Sequence, residues 1–265
     1  MPPGTPRYWG WLFAAPQARG PLLGVFALLA EWRALQDPGT DVSVARTKLA
    51  WWREEMDRLD AGAPLHPITR YLADFARAAD TDFTPLARTV EATAAQVAGV
   101  PVERGTELES HAGALYGQPL LVAAVLSGAS QPGSTLHGCI AALAVAQYLS
   151  VAIADYPREA RAGRVPFAID ELLSAGIDND DLVAAEPPPQ LGTYLDLLRR
   201  RAADHYSKAA AALAPEERPR LRHLLVLATL GAKHLRDRKL RSGADIRLAD
   251  LYNAWSAARR AATAR

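Results

Sequence analysis

Residues 136–158 read LHGCIAALAVAQYLSVAIADYPR, and this stretch decides the fold class. Between Cys139 and Ala154 only Gln147 and Ser150 interrupt an apolar run built largely of alanine and leucine, both strong helix formers. Its valines and isoleucines do not alternate with polar residues, so it does not read as a strand. The run falls short of the roughly 18 apolar residues that mark a membrane span, and it reads as a core helix from about Leu136 to Arg158, buried on nearly all sides. A helix of that kind needs other helices around it. A peripheral membrane contact stays open for it. At its polar end stand Asp155 and Glu159, four residues apart and therefore on one face.

Working outward, the flanking sequence is helical almost throughout. Arg19 to Gln36 is apolar through Leu22, Leu23, Val25, Phe26, Leu28, Leu29 and Leu35, and Pro38-Gly39 stops it. Ser43 reads as the N-cap of a helix whose inward face is Leu49, Trp52, Met56 and Leu59, with Trp51 at its flank. Core packing is the default for this pair, with stacking of Arg53 on an indole as an additional option. Pro67 starts a helix with Ile68, Tyr71, Leu72 and Phe75 inward, and Thr84-Pro85 opens another that ends by Gly99 and Pro101. A fifth runs from about Glu103 to Leu126, softened at Gly117 and Pro119, and Ser127 to Ser134 is a loop. After the long core helix come a short helix near Asp170 to Ala175 and an acidic turn, Asp178 to Asp181, able to cap another. Helices over Leu191–Leu213, Leu221–Leu240 and, after Ser242-Gly243, Leu248–Ala262 close the chain. The breakers are evenly spread and no repeat is evident, so residues 1–265 are expected to form one all-α domain around a central cavity.

Charge and cysteine content bound the function. With 30 Lys+Arg against 29 Asp+Glu, the chain has no overall positive field to hold a nucleic acid, and no nucleic-acid partner is expected. The lone Cys139 excludes an internal disulfide framework and a cysteine zinc cluster, and reads as a small buried hydrophobe. The six histidines show no metal-ligand spacing. Met1 to Thr5 is rich in Pro and Gly, and Gln17 and Arg19 break the apolar stretch after it. No signal peptide is expected, and the location expected is cytoplasmic, with a peripheral place at the membrane left open.

Two acidic pairs at helix ends carry the candidate chemistry. Glu31 and Asp37 end one predicted helix, and Asp155 and Glu159 end the core helix. Facing each other, such pairs could hold Mg²⁺ ions that clamp a diphosphate, with Arg158, Arg161 and Arg164 beside them as phosphate donors. The plainer reading is two solvated helix ends.

A family resemblance covers nearly the whole chain. The stretch RYWGWLFAAPQARGPLLGVFALLAEWRALQDP, residues 7–38, resembles the opening of squalene/phytoene synthases, where an LF-P-x-x-R step precedes a helix ending in acids. KLAWWREEMDRLDAGAPLHPI, residues 48–68, resembles the family's RL-x-WW-R…G…HP block and is the most specific match. DYPREARAGRVPFAIDEL (155–172), LRHLLVLATLGAKHLRDR (221–238) and YNAWSAARRA (252–261) resemble its later segments. The resemblance implies the isoprenoid synthase fold and Mg²⁺-dependent head-to-head joining of prenyl diphosphates such as farnesyl or geranylgeranyl diphosphate. It assigns Glu31, Asp155 and Glu159 to catalysis and Glu31, Asp37, Asp155 and Glu159 to the metal. Arg158, Arg164, Gln147 and Tyr156 fall to the substrate, with the prenyl tail along the helix around Phe26 and the segment Val145–Val151. The departures are equally visible: Leu35 stands four residues after Glu31, Glu159 replaces an aspartate, and Ala154 stands where an arginine is common. They resemble a divergent branch that includes a synthase-like mitochondrial complex I assembly factor. Two readings result: a prenyltransferase with degenerate aspartate-rich motifs, or a non-catalytic synthase-fold module that binds a lipid or a protein.

Overall fold

The structure, a computed structural model, describes residues 3–37, 39–76, 81–129, 133–236 and 246–263. Among these there is no β-strand, and the only β-type pairing is a single parallel bridge between Val102 and Ala168. The α-helices in chain order are α1 (Pro6–Leu12), α2 (Pro16–Ala34), α3 (Val42–Asp60), α4 (Pro67–Ala76), α5 (Thr84–Val97), α6 (Leu108–Ala112), α7 (Gln118–Leu126), α8 (Ser134–Arg161), α9 (Ile169–Ser174), α10 (Pro189–Ala212), α11 (Arg222–Arg236) and α12 (Leu248–Thr263). Pro38, residues 130–132 of the expected loop, the stretch 237–240 of the expected 221–240 helix and Ser242-Gly243 lie outside the described residues.

The organiser is α8. Its Leu143, Ala144, Val145, Ala146, Leu149 and Ile153 are all at most 5% exposed, so the apolar run is the centre of the core. The helix has 28 residues, longer than the run suggested, because it continues through Pro157 to Arg161. By length and composition it could cross a membrane, yet two-thirds of its most apolar window is buried against the rest of the chain. Cys139 sits in this core, and burial pushes its thiol up to about 12. Helix α10 packs along α8, α11 along α10, and α12 on α11, while α2, α3, α4, α5 and α7 complete the other side.

Glycines set the close approaches. At Gly231 on α11 the Tyr206 ring of α10 lies so near that an added Cβ would collide with it. The two helices can touch there only because the side chain is missing. Gly24 on α2 receives Leu72 of α4 in the same way.

The block 48–68 owes its form to one buried carboxylate. Leu49, Trp52, Met56 and Leu59 form the inward face as their spacing requires. On the same helix Glu55 is fully buried. Its Oε1 accepts from the Leu65 and His66 amides, both at 2.8 Å, and from the Thr69 hydroxyl at 2.5 Å; Oε2 accepts from Arg58 Nε at 2.9 Å. Burial alone would raise the carboxyl, but these hydrogen bonds outweigh it and hold it below the ordinary glutamate value. Glu55 thus fastens the turn after α3 to the first turn of α4. Trp51 stays partly exposed, with Arg58 stacked over it at 5.5 Å. Arg53 pairs with Glu91 of α5 rather than taking the optional place on an indole.

Local differences from the sequence reading have local causes. Helix α3 is capped by Asp41, whose Oδ1 accepts from Ser43 N at 2.7 Å and Val44 N at 3.2 Å; Ser43 lies within the helix. Aspartate two residues earlier is an equally good cap. Tyr71 is 39% exposed rather than inward. Asp178 to Asp181 closes a turn on itself, Asp178 accepting from the amides of Asp180 and Asp181, and opens no helix. The soft spot in the fifth helix is a π-turn over Gly113–Gly117, joining α6 to α7.

Candidate functional site

The C-terminal ends of α2 and α8 meet, and between them, α5, the loop after α5 and the π-turn lies a cavity of about 70 Å³. Its polar wall is Arg33, Gln36, Gln96, His111, Tyr116, Tyr148, Asp155, Glu159 and Arg164; Val100, Val102, Val151, Val165 and Pro166 form the apolar wall. The loops carrying Val100, Val102, Val165 and Pro166 are held together by the Val102–Ala168 bridge, where Ile169 N donates to Val102 O at 2.9 Å.

Arginines lace the mouth. Arg33, on the last turn of α2, forms an ion pair with Asp155 of α8. Arg158 reaches Asp155 at 3.4 Å and Glu159 at 3.0 Å. Arg164 donates through Nε to Glu159 at 2.7 Å, and its Nη2 donates to the Gln36 carbonyl at 3.0 Å, tying the loop after α8 to the end of α2. For Arg33 burial works against the charge, but Tyr116 and Asp155 more than restore it, and its guanidinium is held above the usual arginine value.

Next to this wall is a second polar group. Arg7 of α1 stands over the Tyr116 ring at 5.6 Å and donates weakly to Gln147 Oε1, at 3.4 Å through Nε and 3.3 Å through Nη2. Among the described residues no carboxylate pairs with it. Burial, with Arg33 nearby, lowers its guanidinium from the ordinary value, although Tyr116 acts the other way. Gln147 is 8% exposed, and its Nε2 has no hydrogen-bond partner. Tyr206, hydrogen-bonded to Ser150 at 3.2 Å, belongs to the same surroundings.

The expected site residues divide accordingly. Asp155, Glu159 and Arg164 line the cavity, and Arg158 bonds both acids. Glu31 does not face them: it lines a separate groove with Thr40, Lys48, Trp51, Trp52 and His66. Asp37 is exposed beyond the end of α2, where its Oδ1 accepts from Gly39 N at 3.0 Å and closes a turn. The four acids are therefore not brought to one point, and no group of three or more His, Cys, Asp or Glu suited to a metal occurs among the described residues. Tyr156 packs on Phe167, ring centres 5.8 Å apart, outside the cavity wall. Of the expected tail path, Val151 lines the cavity while Phe26 and Val145 are closed in the core. Arg33, Arg7, His111, Tyr116 and Tyr148 were not singled out by sequence. The soft spot at Gly117 was the one signal pointing near Tyr116.

The helices of the described residues, enclosing a polar mouth at the joined ends of α2 and α8, have the isoprenoid synthase fold, as the likeness to solved synthases shows. The chain belongs to the squalene/phytoene synthase family, whose family model matches residues 3–254. Among solved structures it is similar to a dehydrosqualene synthase in complex with ligand, at TM-score 0.74 and 14% identity, covering 96% of this chain and 89% of that one. It is also similar to the squalene synthase HpnC from Alicyclobacillus acidocaldarius, at TM-score 0.71 and 19% identity, covering 86% of each chain. Phytoene synthase 1, chloroplastic, of Arabidopsis thaliana is 20% identical over 206 residues, which span 76% of this chain and 49% of that protein.

Proposed function

We propose that this chain is a non-condensing member of its family, which holds the phosphate head of a prenyl diphosphate directly on arginines. The observation that carries the reading is Arg33 in an ion pair with Asp155, across the gap between the two helix ends. Mg²⁺ requires several oxygen donors in near-octahedral order. Here both carboxylates at the mouth are already engaged by guanidinium groups, and Glu31 lies in another groove, so the donor set does not suit the ion. Arg7, Arg33, Arg158 and Arg164 stand against two acids, Asp155 and Glu159, which leaves a surplus of positive charge for an anion. Guanidinium groups bind phosphate oxygens in pairs without a metal. The apolar wall from Val100 to Pro166 supplies a surface for the start of the prenyl tail.

The test is calorimetric titration with farnesyl diphosphate in Mg²⁺ and again in excess EDTA, with mass spectrometry of the mixture. Binding of equal strength in EDTA, with no coupled product, is expected. A strict need for Mg²⁺, or a coupled hydrocarbon, overturns the reading. Absence of binding under both conditions overturns it too, in favour of the partner-binding module.

A further inference from the structure

Helix α12 is built inside out. Its inner face is alanine: Ala254, Ala257, Ala258 and Ala261 are all at most 7% exposed, and the first three pack with Val226 and Leu230 of α11 and with Trp9. Its large apolar residues point away. Leu248 is 83% exposed, Tyr252 64%, Trp255 43% and Leu251 37%, and Ile246 just before the helix is also exposed. Positions 248, 252, 255 and 259 share one side of a helix, so these side chains form a single outward stripe about three turns long. A stripe of this kind on a helix end, with aromatic side chains, marks an interaction surface.

Charge identifies the partner. Arg259 lies over the Trp255 ring at 5.3 Å, Arg260 comes next in the chain, and Arg247 precedes the helix. The one acid on α12, Asp250, is 2% exposed and bonded to Lys233 at 3.3 Å and His234 at 3.1 Å. Among the described residues of α12 the outer face therefore carries arginine without an exposed acid, on a chain that is nearly neutral as a whole. Trp and Tyr beside Arg, flanked by Leu and Ile, is the composition of a helix lying in the headgroup region of an anionic bilayer.

We propose that α12 docks the protein on anionic phospholipid membrane through Leu248, Leu251, Tyr252, Trp255 and Arg259. The contact is separate from the cavity and from α8, which is buried, and it does not depend on prenyl diphosphate binding. The full chain is sedimented with vesicles of phosphatidylcholine and with vesicles containing about one-third phosphatidylglycerol. It pellets with the second, weakly with the first, and less as salt is raised. Tyr252→Ser/Trp255→Ser abolishes pelleting, and Arg259→Glu/Arg260→Glu weakens it about tenfold or more, each with an unchanged far-ultraviolet spectrum. The inference is overturned if neither vesicle binds the wild type or if both variants pellet as it does. It is also overturned if sedimentation equilibrium shows a dimer that these substitutions dissociate, since the stripe then serves a second copy.

Discussion

Glu55→Ala tests the reading of the block 48–68 as a fastening built on one carboxylate. The substitution removes a fully buried side chain that accepts four hydrogen bonds, from the Leu65 and His66 amides, the Thr69 hydroxyl and Arg58. A hydrogen bond to a charged group contributes about 1.5–3 kcal/mol, and the four are not additive, because they share one anion. Breaking a buried charge pair by deleting one partner costs about 3–5 kcal/mol, which sets the scale here. For a chain of this length each kcal/mol lowers Tm by about 2–4 °C, so a fall of roughly 10 °C is expected in melts monitored by circular dichroism. The sign with pH comes from the lowered carboxyl. Its contribution is fully present above the unfolded value of about 4.3 and is lost as pH falls through the lower folded value. Glu55→Gln, which keeps the size and loses the charge, should therefore melt below wild type at neutral pH and approach it in acid. An alanine variant melting within about 2 °C of wild type refutes the account.

Arg7→Met should weaken farnesyl diphosphate binding about tenfold or more while leaving Tm unchanged or raised, because a buried cation without a carboxylate costs stability; titration and melting read the two effects. Gly231→Ala should destabilise by about 1–3 kcal/mol, seen as a urea midpoint shift, since Tyr206 must leave its place and its bond to Ser150. His223 is fully buried with neither ring nitrogen partnered, and burial lowers it to about 3. The unfolded chain then binds the extra proton below about 6.5, so wild-type stability falls toward acid. His223→Leu should melt higher and show a flatter pH profile between about 6.5 and 5; an unchanged slope counts against it.

The helices were readable because their breakers are glycine and proline and because α3 and α8 show their burial plainly. The mouth was not readable, and α2 shows why. From Leu22 to Leu29 this helix is apolar nearly all round, so its sequence does not tell which side faces α8. Glu31 and Arg33 are two residues apart, about 200° around a helix, and only one can face Asp155. An acid was expected there, and the helix turns Arg33 inward instead. Arg7 escaped notice because it lies far along the chain from Gln147 and Tyr116. Glu55 stood in plain sight within the most specific block, but nothing in its spacing separates a buried acid from a solvated one.

The π-turn at Gly113–Gly117 has a consequence for sequence descent. A π-turn is an α-helix that has taken in one residue without breaking. The insertion rotates the helix before it by about 100° relative to the helix after it. Here it sets His111 against Tyr148, ring centres 5.3 Å apart, and presents Tyr116 to Arg7. A relative with an unbroken helix at this place is one residue shorter, and its aligned residues upstream occupy different faces. Deleting Gly113 from this chain should restore an unbroken α-helical phase in one step, rotating α6 as a whole.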